Sequence, residues 1–145
     1  MRAVIQRVYD ASVTVDTTVV GSIDTGLLVY LGVGKGDSVE QLKWLCEKIP
    51  KIRCFRDENG KMNLDLKQVG GKILLVSQFT LLANLRKGNR PSYDDAADPA
   101  IAEAMYDQAF DLFRDQGIEV AGGVFGAHMH VSYTNDGPVT FTLDA

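Results

Sequence analysis

The 145-residue sequence is poor in the residues that most often do chemistry: two histidines, two cysteines and one tryptophan. Cys46 and Cys54 form no C-x-x-C pair, so neither a zinc site nor a disulfide framework is expected. Basic excess is missing as well. A net charge of −4 and a pI near 5.1 argue against a protein that coats nucleic acid along its length, which needs a broad basic face. No apolar run approaches the roughly 20 residues of a membrane span. "MRAVIQRVYD" has no long apolar core followed by a cleavage site, so no membrane association is expected, and a reducing cytoplasm is the expected location.

What is present reads as one domain over residues 1–145, 46% hydrophobic and 23% charged, large enough to bury a core without staples. Short β-like runs dominate: "AVIQRV", "ASVTVD", "TVVGSI", "GLLVYLGV", "IRCF", "KILLVSQF", "IEVAGGVF", "AHMHVSY" and "PVTFTL". Several alternate apolar and polar residues, as Val13 and Val15 do with Ser12 and Thr14, the period of a strand with one buried face. Two segments read as helices. In "SVEQLKWLCEKI", Ser38 and Gln41 resemble a capping box, and Leu42, Leu45, Cys46 and Ile49 form one apolar stripe. In "DPAIAEAMYDQAFDLFRDQG", Asp98 is a candidate cap, Pro99 suits the first helical turn and Gly117 can end the helix. The stripe there includes Ile101, Met105, Leu112 and Phe113. Many strands with two separated helices predict an α+β fold, a curved, largely antiparallel sheet or barrel with the two main helices packed on one side.

Several stretches imitate active sites. "GVGKGDS" fails the phosphate-loop pattern twice, with Val29 where glycine is needed and Gly36 where Ser or Thr is needed, and is expected to connect a strand to a helix. His128 and His130 in "HMH" share a strand face, but no second ligand cluster accompanies them. They are expected on the surface, with Met129, Val131 and Tyr133 on the opposite, buried face. "GGVFGA" lacks dinucleotide-loop spacing and fits a bulge or a close backbone approach. "TNDGPVTF" reads as a hairpin turn between two strands: with Asp136 and Gly137 central, Pro138 has no N–H to close it, whereas with Asn135 and Asp136 central it closes through Gly137 and Pro138 stiffens the start of the next strand. Ser77 and Thr80 in "SQFT" are hydroxyls without a visible base, which read alone fit a strand end. Arg86, Lys87 and Arg90 in "LRKGNRPS" form a local basic patch, equally a solvated loop.

Taken together, "SQFTL" at 77–81 and "NDGPVT" at 135–140, with "IQRV", "ASVTV", "GLLVYLGV", "GKMNLDL", "RPS" and "GVFGAHM" between and around them, resemble the D-aminoacyl-tRNA deacylases over nearly the whole chain. The resemblance implies hydrolysis of the ester between a D-amino acid and the terminal ribose of tRNA, with glycyl esters also passing. The implied partners are the 3′ end of aminoacyl-tRNA and a second copy of the chain, in a homodimer with active sites at its interface. No cofactor or metal is implied. It assigns the ester end of the site to Ser77, Gln78, Phe79 and Thr80, with the Phe79 N–H facing the developing oxyanion. A cis Gly137–Pro138 motif would reach into the partner's pocket and hold the substrate ammonium on its carbonyls, bordered by Phe125 and Met129 and oriented by Arg7. Tyr133 stands where an aliphatic residue is common, and only a packing change is expected. Thr80 could act as a covalent nucleophile, or the tRNA 2′-hydroxyl could assist water. The lack of a base beside Thr80 favours the second. A tRNA-binding module without turnover and a hydrolase of simpler esters remain as competing readings.

Overall fold

The computed structural model describes residues 1–145. Strands β1 (Arg2–Val15) and β2 (Thr18–Gly32) form a long hairpin; α1 (Val39–Lys48) follows, with a 3-10 turn at Ile49–Lys51. A short ribbon of β3 (Phe55–Arg56) and β4 (Met62–Leu64) leads to β5 (Lys72–Ser77) and a second 3-10 turn, Phe79–Leu82. Helix α2 (Pro99–Arg114), β6 (Val120–Gly122) and β7 (Met129–Asp144) complete the chain. The main sheet runs β6-β5-β2-β1-β7. It is antiparallel through the long strands β2, β1 and β7, and parallel where β5 joins β2 and β6 joins β5. The α+β expectation holds; the sheet is open rather than closed into a barrel.

Alternation explains how one sheet holds two apolar layers. Leu27, Val29, Ile73 and Leu75 face one side, where Leu42, Leu45 and Cys46 of α1 and Tyr106, Ala109 and Phe113 of α2 cover them. Leu28, Leu74 and Val76 face the other side and pack with Val8, Ala11, Val13 and Ile23. Both strands are therefore buried on both faces, as their unbroken apolar runs require. Each such Leu, Ile or Val contributes roughly 1.5–3 kcal/mol of burial. The long strands coil to supply the second layer. Gly122 lies against Gly21 and the Phe110 ring, and a Cβ there would lie 2.9 Å from the Leu75 carbonyl. The close approach read from "GGVFGA" is the correct one.

Helix α1 follows its sequence closely: both halves of the Ser38–Gln41 capping box form, and the predicted stripe is buried. Helix α2 departs from it. Asp98 sits at the N-cap without a side-chain cap bond, Ile101 is 52% exposed, and the buried face is Tyr106, Ala109 and Phe113. Phe113 of the expected stripe is buried, and Met105 and Leu112 pack half-buried against the core; the departure is Ile101, with Tyr106 and Ala109 added at helical spacing.

The larger correction concerns residues 134–141. They make no hairpin. β7 runs continuously from Met129 to Asp144 beside β1, and the register jumps: Gln6 faces Thr140, but Val8 faces Asn135. Residues 136–139 are thus extruded opposite Arg7 as an enlarged bulge. Pro138 needs no donor there, because the loop has left the ladder. Tyr133, expected on the buried face, is exposed beside the bulge.

Candidate functional site

A cavity of about 470 Å³ opens where the carboxyl end of β5, the start of α2 and the β6–β7 connection meet. Ser77, Gln78 and Phe79 form one wall; Phe125 and Met129 face them. Five of the nine predicted site residues are thereby brought together. The chain leaves β5 at Ser77, and Gln78 N–H donates to the Leu31 carbonyl at 2.8 Å, fixing the exit from the sheet. The backbone then tightens into the 3-10 turn Phe79–Leu82. The Phe79 and Thr80 N–H groups open that turn and have no earlier carbonyl within it to accept them. They are the natural donors for an oxygen that gains charge. Phe79 is 56% exposed, with its ring edge-on to Tyr93 at 4.8 Å.

Thr80 is exposed and outside the cavity lining; its hydroxyl accepts from the Gln78 side-chain amide. No imidazole hydrogen-bonds it. The sequence reading did miss an imidazole at this site, however. His128 lines the cavity, and its ring meets that of His130 edge-on at 5.1 Å. Both histidines are exposed, as expected; His128, just before β7, also lines the cavity beside Met129 and Val131, whereas His130 does not.

The deeper lining was also missed. Leu31, Val33, Ala96, Ala97 and Ala102 make it apolar, and Tyr106 closes it. The Tyr106 hydroxyl donates toward the carbonyls of Leu75 at 2.8 Å and Gly123 at 3.2 Å, joining β5 to the loop that holds Phe125. Burial pushes its ionisation well above the ordinary tyrosine range, so it stays a neutral donor. Its helical spacing with Ala102, Ala109 and Phe113 was the available signal.

Gly137, Pro138 and Arg7 lie elsewhere. The Gly137–Pro138 peptide is cis, at the crest of the bulge, and both residues are exposed. Six positions of β7 separate Met129 from Asn135 at the foot of the bulge, about 20 Å of strand. Neither Gly137 nor Pro138 lines the cavity of its own chain. The bulge is nonetheless held firmly. Asn135 Nδ2 donates to the carbonyls of Arg7 and Val139, both at 3.0 Å, which ties the two feet of the loop together. Arg7 is only 3% exposed; its Nη1 donates to the Cys54 carbonyl and its Nε lies 2.8 Å from Asp136 Oδ2. That last contact is an ion pair by distance but not an aligned hydrogen bond, since Nε has no well-directed acceptor. Gly137 has φ +118°, and a Cβ there would stand 3.1 Å from Arg7 Nη2. Only glycine fits the position without strain.

The D-Tyr-tRNA(Tyr) deacylase family profile matches residues 4–144. A D-aminoacyl-tRNA deacylase of Thermosipho africanus is 54% identical over 145 residues, covering all of this chain and 97% of that protein. One from Geobacter sulfurreducens is 54% identical over 144 residues, covering 99% of this chain and 95% of that protein. Among solved structures, a c-Myc DNA unwinding element binding protein superposes with a TM-score of 0.93 at 38% identity, over 100% of this chain and 99% of that one. A probable eukaryotic D-amino acid tRNA deacylase superposes at 0.84 and 18% identity, over 99% and 98% of the two chains, a likeness of fold.

Proposed function

Since the chain belongs to the D-Tyr-tRNA(Tyr) deacylase family, we propose that it hydrolyses the ester of D-aminoacyl-tRNA in the cytoplasm, as a homodimer whose two sites each combine residues of both copies. The observation that carries this reading is the division of the site. The lining of the cavity with Ser77, Gln78 and Phe79 includes no carboxylate to pair with an ammonium, and the Gly137–Pro138 loop stands exposed past the end of the Met129–Asn135 stretch, about 20 Å of strand. A second copy that inserts its loop into the cavity completes both halves. No helix is long and apolar enough to cross a membrane.

In the assembled site the aminoacyl ester lies along Ser77–Phe79. The Gly137 and Pro138 carbonyls of the inserted loop accept hydrogen bonds from the α-ammonium, while Phe125 and Met129 border it. With ammonium and ester both held, the side chain of a D-residue points outward. That of an L-residue meets backbone braced by Arg7 and Asn135. A glycyl ester has nothing to reject and passes. Water attacks the ester carbonyl carbon, assisted by the neighbouring ribose 2′-hydroxyl. The oxyanion forms against the Phe79 N–H, a contact of the kind worth about 3–4 kcal/mol in the transition state. Collapse breaks the bond to the ribose 3′-oxygen, which takes up a proton, and releases amino acid and tRNA. Thr80 has no base beside it and no covalent part in this scheme.

The test is release of amino acid from matched D-Tyr-, L-Tyr- and Gly-tRNA, with Thr80→Ala and a 2′-deoxyadenosine-ended substrate alongside. Rapid loss of the D- and glycyl esters is expected, with the L-ester spared, Thr80→Ala active and the deoxy substrate nearly inert. A folded Thr80→Ala protein that binds substrate but does not turn over would refute the mechanism. Loss of no ester would refute the activity.

A further inference from the structure

We propose that residues 85–91 form a cationic arm that grips the phosphates of the tRNA acceptor end beside the cavity, an inference that rests on the deacylase reading. The loop is a built element. Asn84 and Ser92 exchange both backbone hydrogen bonds, 2.8 and 3.0 Å, and close its neck. The Arg86 N–H donates to Asn84 Oδ1 at 3.0 Å, and Gly88 turns the tip at φ +75°. The arm presents Arg86, Lys87 and Arg90, all exposed, and none of the chain's ion pairs includes them.

Three cations without ion-pair partners thus stand within five positions on a chain of net charge −4. Its acids lie at the base instead: Asp94 accepts from Ser92 Oγ at 2.7 Å, and Asp95 offers its carbonyl to the Lys35 N–H at 2.9 Å. A polyanion is thus repelled from the base and drawn to the tip. The base is also fastened to the site. Tyr93, next to the neck, packs edge-on against Phe79 of the cavity wall, and the 3-10 turn beginning at Phe79 runs directly into Asn84. Seven residues out and back reach about 11 Å from the neck, a span of a few phosphates at one charge per about 3.4 Å of strand. The cavity takes the terminal aminoacyl nucleoside; the arm takes the backbone that leads to it. Phosphate contacts position without reading sequence, which suits an enzyme that must accept many tRNAs.

The experiment compares wild type with Arg86→Gln/Lys87→Gln/Arg90→Gln, and with a control of equal charge change, Lys48→Gln/Lys51→Gln/Lys61→Gln. Hydrolysis is measured on D-Tyr-tRNA and on the phosphate-free ester D-Tyr-adenosine, and binding of uncharged tRNA is titrated with salt. Three phosphate contacts at about −0.7 each should make wild-type tRNA binding fall about twentyfold more than the arm variant's between 50 and 200 mM salt. The ratio of kcat/KM on tRNA to that on the adenosine ester should fall at least tenfold in the arm variant and stay unchanged in the control. An equal loss on both substrates, or an unaltered salt slope, would overturn the proposal. Wild type that binds tRNA with the expected slope yet cleaves neither ester would refute the activity while leaving the arm supported.

Discussion

Arg7→Met is the most informative single substitution, because Arg7 belongs to the core by burial and, through Asp136, braces the bulge that the proposed function places in the site. Methionine keeps most of the apolar stem and removes the charge. The Cys54 carbonyl then loses the Arg7 donor, at about 1–3 kcal/mol for a buried acceptor left unsatisfied. The ion pair with Asp136 adds only about 1 kcal/mol, since the carboxylate is half-exposed and can return to water. A total near 3 kcal/mol lowers the urea midpoint by about 1.5 M at an m-value near 2 kcal/mol/M. From an initial stability of about 5–15 kcal/mol, the protein remains well over nine-tenths folded at 25 °C. Unfolding can therefore remove only a few per cent of activity. Positioning predicts far more: misplacing the bulge by about 1 Å costs on the order of a hundredfold in kcat/KM. The assay is kcat/KM on D-Tyr-tRNA and on L-Tyr-tRNA, beside urea titration of the same preparations. Arg7→Lys should fall between, because a point charge replaces a planar fork that reaches two partners. A midpoint lowered as calculated, with kcat/KM on the D-ester within twofold of wild type, would refute the argument and make Arg7 a core residue only.

Two further outcomes follow from packing. Gly122→Ala drives a methyl into the Phe110 ring and toward the Leu75 carbonyl; thermal or urea unfolding should show a loss of about 1–3 kcal/mol, whereas Gly60→Ala, with open space around it but φ +74°, should cost only its backbone strain of about 1 kcal/mol. Burial pushes the Cys46 thiol up to about 12. Its folded value lies above its unfolded one, so the stability it contributes is complete below the ordinary thiol range and is lost as pH rises toward about 12. A thiol reagent at about pH 8 should label Cys46 only in denaturant, and labelling of the native protein would contradict the buried placement.

Much of this molecule is legible in its residues. Alternation in β1 and β7 and the unbroken apolar runs of β2 and β5 specify strands with one or two buried faces, and the Ser38–Gln41 box marks where α1 begins. These are local effects, set by side chains within a turn or two of one another. The "SQFTL" and "NDGPVT" motifs likewise identify the family without coordinates. The structure decided what depends on distant pairing. Whether "TNDGPVTF" is a hairpin or a bulge turns on both of its flanks meeting β1, through contacts such as Asn135 with Arg7, 128 positions apart. Whether His128 faces bulk water or a cavity depends on where α2 and β5 end, which its own strand does not encode. The selection of Tyr106 over Ile101 for the buried side of α2 required the sheet beneath it. Period places a side chain on a face; only the packed chain decides what that face meets.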